Sequence, residues 1–522
     1  MRPLAVALLT HDYTLKRWEI DALQRLESAG AVAVAALIAL GPRPRTLERA
    51  WLGAQQALEG RDPDPLADSL DARAAFPLAA AATAAAREDP IDVIVACGVD
   101  PSARGGRDTI GLSFGGAADD IGLFRAYMHG MPLDLAVTLG SERGERVLAS
   151  ARPAFPERGL LSEVQQNVLR RASALLEKAL RELADDLPPI AASAGATAPP
   201  VTLAAACRNG SRKAGRVMQR ALRRLRQGAG DPDDNWFLAY RTNSDAFVCN
   251  SERFRADGYR LILPPPGRFY ADPCVIEHEG EDHVFFEEWR PDLARGVISW
   301  MRRDGDRFTP PEPVLERPYH LSYPFVFRAG GDIFMVPETG HANRIEMYRA
   351  VEFPQRWEPA QILVDGIAAA DATVLEADGG WWMFAVVGEA GVPKCDQLWI
   401  FHADAVGGPW RPHVRNPVKI DVRSARPAGS LFRRGGKLIR PTQDCSATYG
   451  GALTLCEVTR LTRRDYAEVE VETLLPGWLP SNLGFHTVSS SRGLEVIDGK
   501  MPSGKESRFP ALEGALYIEA PA

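Results

Sequence analysis

No run of about 18 apolar residues occurs in the 522-residue chain, so no helix is expected to span a bilayer. Cysteine is sparse: seven residues, an odd number, spread from Cys97 to Cys456 with no CxxC. That spacing excludes a zinc ribbon and a disulfide framework, and predicts buried free thiols in a reducing compartment. The nine histidines include no HExxH, and no Cys/His cluster has metal-ligand spacing. No metal and no cofactor are expected. There is no basic excess, and the net charge of −7 argues against nucleic acid as a partner. The opening "MRPLAVALLTHD" lacks a small-residue cleavage site, so it reads as a buried strand and not a signal peptide. The expected location is the cytoplasm.

Three regions follow from local pattern. Residues 1–185 alternate continuous apolar strands ("LAVALLT", "VAVAALIAL", "IDVIVACGV") with helical spacing at 15–30 and at about 161–184. Such strands separated by helices predict an α/β unit, its parallel sheet covered on both faces. The alanine-rich stretch 76–90 reads as a further helix. Residues 186–234 form a linker. Its first part is Pro/Ala/Ser-rich, and 207–228 carries eight Arg/Lys and no acid around Val217, Ala221, Leu222 and Leu225. A basic amphipathic helix of this kind suits the inner face of an anionic membrane, or a solvated link between domains. Residues 235–522 lose helical periodicity and read as all-β.

In that last region five segments align. They begin at Ala271, Ser322, Ala370, Arg426 and Gly484, spaced 51, 48, 56 and 58 residues apart. Each of the first four reads as an apolar strand, a Gly turn and a second apolar strand, followed by a third. An all-β repeat near 50 residues predicts a propeller, here with five blades. The first strand of a blade lines the axis, so Asp272, Tyr323, Asp371, Arg426 and His486 are expected to meet at one mouth. The second-strand ends add Glu287, Glu288, Glu338, Arg440, Gln443 and Asp444; neighbouring segments add His320, Asn343 and Tyr449. Carboxylates and amides bind hydroxyls, and aromatic faces stack on sugar rings. The expected partner is a sugar or phosphorylated sugar. For any single one of these residues the plainer reading is a turn cap or an intra-blade ion pair.

Two resemblances follow from these motifs. "ADP" before a hairpin ending in Phe and Glu resembles the five-bladed furanosidase-like propellers. By that resemblance Asp272 matches the first-blade base or nucleophile, Asp371 the residue that tunes the acid, and Glu338 the acid. "HLSYPFVF", "DATVLEADGGWWMFA", "SARPAGSLFRRGGKLIRPTQDCSATYG" and "GFHT" resemble the N-terminal region of the plant glucosamine inositolphosphorylceramide transferases and their bacterial relatives. This implies glycoconjugate or surface-polysaccharide assembly, with Asp272, Asp371 and Glu338 as catalytic candidates. Tyr323, His320, Arg426, Arg440, Gln443, Asp444 and His486 are the substrate-binding candidates. Two axial arginines suit a phosphorylated or acidic donor, which points to glycosyl transfer. A furanosidase-like hydrolase and a non-catalytic glycan-binding scaffold are the alternatives. In the N-terminal region, "IDVIVACGV", "GLSFGG" and "GLFRAYMHGMPLDLAVTL" resemble the formyltransferase fold in order. Ser113, Gly115 and Gly116 stand where that family needs Asn and His, His129 lies too far along, and Asp134, near the place of the family's Asp, cannot do the job alone. A degenerate domain is expected.

Overall fold

The computed structural model describes residues 2–43, 46–59, 65–77, 91–101, 108–154, 160–189, 199–202, 235–388, 394–477 and 482–501, with positions 79, 197 and 516–517 besides. The basic run 207–228 and the alanine-rich stretch from residue 80 on lie outside them. The chain divides into two compact units, Met1–Leu222 and Arg223–Ala522. Among the described residues no helix is long and apolar enough to cross a membrane.

The first unit is built on a six-stranded sheet in the order Val32–Ala39, Leu4–Thr10, Val93–Ala96, Thr109–Phe114, Leu135–Ser141, Gly144–Ala151. Leu4–Thr10 and Val93–Ala96 are apolar almost throughout because both faces are covered. The helix predicted over 15–30 spans Arg17–Ser28. Glu19 satisfies its first turn by accepting Lys16 N–H at 2.7 Å, and Gly30 follows its end at φ 70°. The second predicted helix spans Leu161–Ala184 and packs against it. The sheet is mixed and not wholly parallel as expected. Its first four strands run parallel and its last two antiparallel. Only two residues join Ser141 to Gly144, and a connection that short permits only a hairpin.

The second unit is a five-bladed propeller. Blade 1 starts with Tyr270–His278, blade 2 with Ser322–Ala329, blade 3 with Ala369–Ala377 and blade 4 with Arg426–Pro427. In each of these blades the first two strands meet in a two-residue turn with both residues left-handed: Glu279–Gly280, Gly330–Gly331, Asp378–Gly379 and Gly435–Gly436. That is the type I′ geometry matching strand twist, and it explains the Gly that recurs in the repeat.

Blade 5 departs from the simple repeat. It pairs Val488–Ser490 and Glu495–Met501 with Asn235–Arg241 and Arg260–Leu263 from the start of the unit. One sheet built from both ends closes the ring. Its fastening includes a buried ion pair: Arg241 and Glu495 are 2% and 0% exposed, with guanidinium and carboxylate 2.6 Å apart. Glu495 also accepts Val248 N–H at 2.6 Å and Tyr259 O–H at 2.7 Å. Removing one partner of such a pair leaves a buried charge, so Glu495→Ala should cost about 3 kcal/mol of unfolding free energy. Denaturant titration checks this, and a joint Arg241→Met/Glu495→Met change should recover most of the loss.

Candidate functional site

The site begins with a backbone irregularity that recurs in the ring. In blades 1, 2 and 3 the inner strand slips register by one residue, between Ala271 and Cys274, Ser322 and Phe325, and Ala370 and Thr373. Within each slip one residue is left-handed: Asp272 at φ 53°, Tyr323 at 43° and Asp371 at 53°. Non-glycine residues avoid this region, a bulky aromatic most of all. A bulge re-aims a side chain out of the strand alternation, here at the blade positions predicted to form the mouth. Blade 5 shows the same slip around His486, between the pairs Gly484–Lys500 and Val488–Ile497. Arg426 is different: it pairs in register with Gln443, ahead of the irregularity.

Two clusters form from these residues. In the first, Arg426 Nε donates to Asp371 Oδ2 at 2.5 Å and its Nη2 to Asp371 Oδ1 at 3.1 Å. Gln443 Nε2 donates to the same Oδ2 at 2.7 Å. Arg426 Nη2 also lies 3.4 Å from Glu338, and Nη1 donates to Lys394 C=O at 3.0 Å. The exposed Tyr449 ring lies 5.0 Å from the guanidinium carbon. Burial pushes the Asp371 carboxyl up to about 7 even against Arg426.

The second cluster joins blades 1 and 5. Asp272 accepts Thr487 O–H at 3.0 Å and Tyr323 N–H at 3.3 Å, with His486 Nε2 at 3.4 Å. Asp498 accepts the backbone N–H groups of His486, Thr487 and Asp272 at 2.8, 3.0 and 3.2 Å. Its Oδ2 lies 2.5 Å from His486 Nδ1, with the N–H direction off the hydrogen-bond line. His486 stacks on Trp236, centroids 4.0 Å apart. Burial pushes Asp272 up to about 6. Burial would lower His486, but Asp498 and Asp272 outweigh it and hold the imidazole up at about 9. Asp272 also lines a small pocket with Thr487, Ser430 and Ser489. Beside these clusters, Glu287 and His320 pair at 3.2 Å, and Glu287 raises His320 to about 9 against the pull of burial.

The ligand atoms of Asp272, His486 and Asp498 lie within 4.8 Å of one another, which is metal-ligand spacing. Their carboxylate oxygens also accept N–H and O–H groups from the surrounding backbone and Thr487.

Several expected residues stand elsewhere. Arg440 is fully buried, donating to Glu468 and to the carbonyls of Ser424 and Ala425. This is a brace, formed because a buried guanidinium must find acceptors. Asp444 caps Ser446 N–H at 2.8 Å. The Tyr323 hydroxyl is taken by Gly429 N–H and Thr373, both at 2.7 Å. Glu288 turns into its blade toward Arg268 and Ser299. Asn343 takes the left-handed position after Gly340–Ala342, its carbonyl accepting Ile367 N–H. Thr487 and Asp498 were missed. Asp498 had a signal: by register the same position in blades 1 to 3 is Phe286, Pro337 and Ala385, so an acid there breaks the apolar pattern. In the first unit Arg152 holds Asp134 with contacts of 2.6 and 2.7 Å, Ser113 donates to Ala136 C=O at 3.5 Å, and His129 lies 3.3 Å from Pro200 C=O.

Asp272, Asp371 and His486 all bind protons more tightly folded than unfolded. Their contribution to stability is complete below the unfolded values (3.8 for Asp, 6.5 for His). It is lost as pH rises through about 6 and 7 for the carboxyls and about 9 for His486. Unfolding free energy from urea titration should fall between pH 6.5 and 9, by up to about 3 kcal/mol for the His486 part. His486→Asn should lessen that fall, leaving the part due to His320, which is raised over the same interval; a profile unchanged in His486→Asn would make this histidine neutral.

Residues 263–478 match the family model described as glucosamine inositolphosphorylceramide transferase 1, N-terminal. The glucosamine inositolphosphorylceramide transferase 1 of Oryza sativa subsp. japonica is 32% identical over 259 residues, 47% of this chain and 35% of that one. The Arabidopsis thaliana protein of the same name is 32% identical over 211 residues, 40% and 28% of the two chains. This chain thus spans about a third of the length of the curated relatives it matches. Among solved structures, an alpha-L-arabinofuranosidase from Lactobacillus brevis superposes with TM-score 0.34 at 13% identity, covering 45% of this chain and 93% of that one. The RS223 beta-xylosidase gives 0.32 at 13% identity, with 46% and 94% covered. Blades 1 to 4, with Asp272, Glu338, Asp371, Arg426 and Gln443, therefore fall in a region similar to the N-terminal part of the glucosamine inositolphosphorylceramide transferases.

Proposed function

We propose that the propeller binds a sugar or phosphorylated-sugar substrate at its axial mouth and carries out glycosyl transfer in glycoconjugate or surface-polysaccharide assembly. The observation that carries this reading is the meeting of Glu338, Asp371 and Arg426, from three different blades, in one hydrogen-bonded group. The roles divide by access. Glu338 keeps 15% of its side chain exposed, against 0% for Asp371, and is oriented by Ser322 and Arg426. It is the group able to take a proton from an acceptor hydroxyl. Asp371 orients Arg426, whose charge suits a donor phosphate. Asp272, fixed between Thr487 and His486, places negative charge near an oxocarbenium-like centre. Tyr449 offers a sugar an aromatic face. The match of residues 263–478 to a named transferase region supports transfer.

A second reading, a glycan-binding scaffold without turnover, draws on the saturation of Asp371, whose oxygens are occupied by Arg426 and Gln443. A furanosidase-like hydrolase would use the same carboxyls with water as acceptor. The order of the first unit, four parallel strands and then an antiparallel edge, supports a formyltransferase-like fold. The engagement of Asp134 by Arg152 supports loss of that chemistry. A cytoplasmic setting, with 207–228 against the inner membrane face, completes the reading.

Thermal-shift screening against sugar nucleotides, lipid-phosphate sugars and neutral sugars tests it, followed by product analysis. A phosphorylated donor should raise Tm, and Arg426→Lys should abolish the shift. Glu338→Gln should keep binding and Tm while slowing transfer about 10²–10⁴-fold. Free sugar as the product would favour the hydrolase, and binding of neutral glycans without turnover the scaffold. Unaltered turnover in Glu338→Gln would remove the proposed base.

A further inference from the structure

On the reading of the mouth as a phosphorylated-sugar site, we infer that the Lys394 ammonium is the direct contact for the donor's phosphate or diphosphate, with Arg426 fixed behind it. Arg426 itself has little left to give. A guanidinium carries five N–H groups. Here Nε and one on Nη2 go to Asp371, a second on Nη2 faces Glu338, and one on Nη1 goes to the Lys394 carbonyl. Held this way, Arg426 orients its neighbours but no longer presents the paired N–H groups that grip a phosphate.

Lys394 is the complement. It precedes the third strand of blade 3, Gln397–Ala403, and its carbonyl accepts Arg426 Nη1 at 3.0 Å, which fixes its backbone at the mouth. The residue is half-buried, and among the described residues its ammonium has no hydrogen bond and no ion pair. Its N–H donors are therefore open to a ligand. An exposed lysine ordinarily samples many rotamers; this one lies in a cleft that two glycines leave open. A Cβ on Gly388, directly after the second strand of blade 3, would lie 2.6 Å from Lys394 Cγ. A Cβ on Gly340, in the turn after the second strand of blade 2, would run into Lys394 Nζ and stand 2.9 Å from Glu338 Oε1. Neither glycine is left-handed, so backbone conformation does not call for glycine at either place. Room for the lysine does.

The position of the ammonium decides the ligand. Glu338 stands between two cations, its Oε2 3.4 Å from Arg426 Nη2 and its Oε1 beside Gly340 on the Lys394 side. An open ammonium next to a proton acceptor suits a substrate pair that brings an anion to the first and a hydroxyl to the second: donor phosphate at Lys394, acceptor hydroxyl at Glu338. An ammonium is a point charge without the planar fork of a guanidinium. It takes a phosphate oxygen whether the phosphate is carried by a nucleoside or by a lipid.

Calorimetric titration of the full-length protein tests this, with inorganic pyrophosphate as the first probe and glucose as the neutral one. Pyrophosphate should bind wild type, and Lys394→Gln should weaken it about 10–100-fold, the worth of one charge-assisted hydrogen bond, with the ligand-free Tm unchanged. Gly340→Ala should weaken it too, although the lysine is still present, because the added methyl displaces Nζ. UDP and geranyl diphosphate present the same diphosphate on a nucleoside and on a lipid; whichever binds more tightly than pyrophosphate names the carrier. Pyrophosphate binding unchanged in Lys394→Gln would overturn the assignment of Lys394 and leave the phosphorylated-donor reading standing. Binding of glucose with none of the diphosphates, or of no probe by protein shown to be folded by its Tm, would overturn both.

Discussion

The Asp498 carboxylate is where closure of the ring and construction of the site coincide. It accepts backbone N–H groups from Asp272 in blade 1 and from His486 and Thr487 in blade 5. A blade exposes an apolar face until its neighbour covers it, so five blades are stable only as a closed ring. The last joint is made between the two ends of the unit, and Asp498 spans it. Without that joint Asp272 would have neither Thr487 nor His486 beside it, and its left-handed backbone would lose one of the contacts that hold it.

The mouth is a balance of opposed costs. Burying Asp272 and Asp371 disfavours their charge, and Arg426, His486 and a set of N–H donors offset that. The pairing is uneven: Asp371 is fully engaged, while Glu338 keeps access to solvent.

Much of the fold was legible. The repeat spacing, the Gly turns and the continuous apolar strands each report a local rule: period, left-handed backbone, burial on both faces. The site was legible in part. Asp272, Tyr323 and Asp371 stand at equivalent bulged positions because equivalent residues of a repeat share a place around the axis. Arg440 and Asp444 failed because strand position does not say which way a long side chain turns once acceptors compete for it; Glu468 and two carbonyls took Arg440. The Tyr323 hydroxyl was claimed by a backbone N–H in another blade, a contact with no trace in local pattern.

By itself the sequence determined the number of blades, the turns, the α/β character of the first unit and the residue types available at the axis. All of these depend on interactions within a few tens of residues. The tertiary structure alone decided that the second unit's two ends share blade 5, that Arg426 bonds Asp371, and that Asp498 anchors the mouth. Those outcomes rest on contacts between residues tens to hundreds of positions apart. Competition among buried donors and acceptors selects them, and it has no solution until every partner is in place.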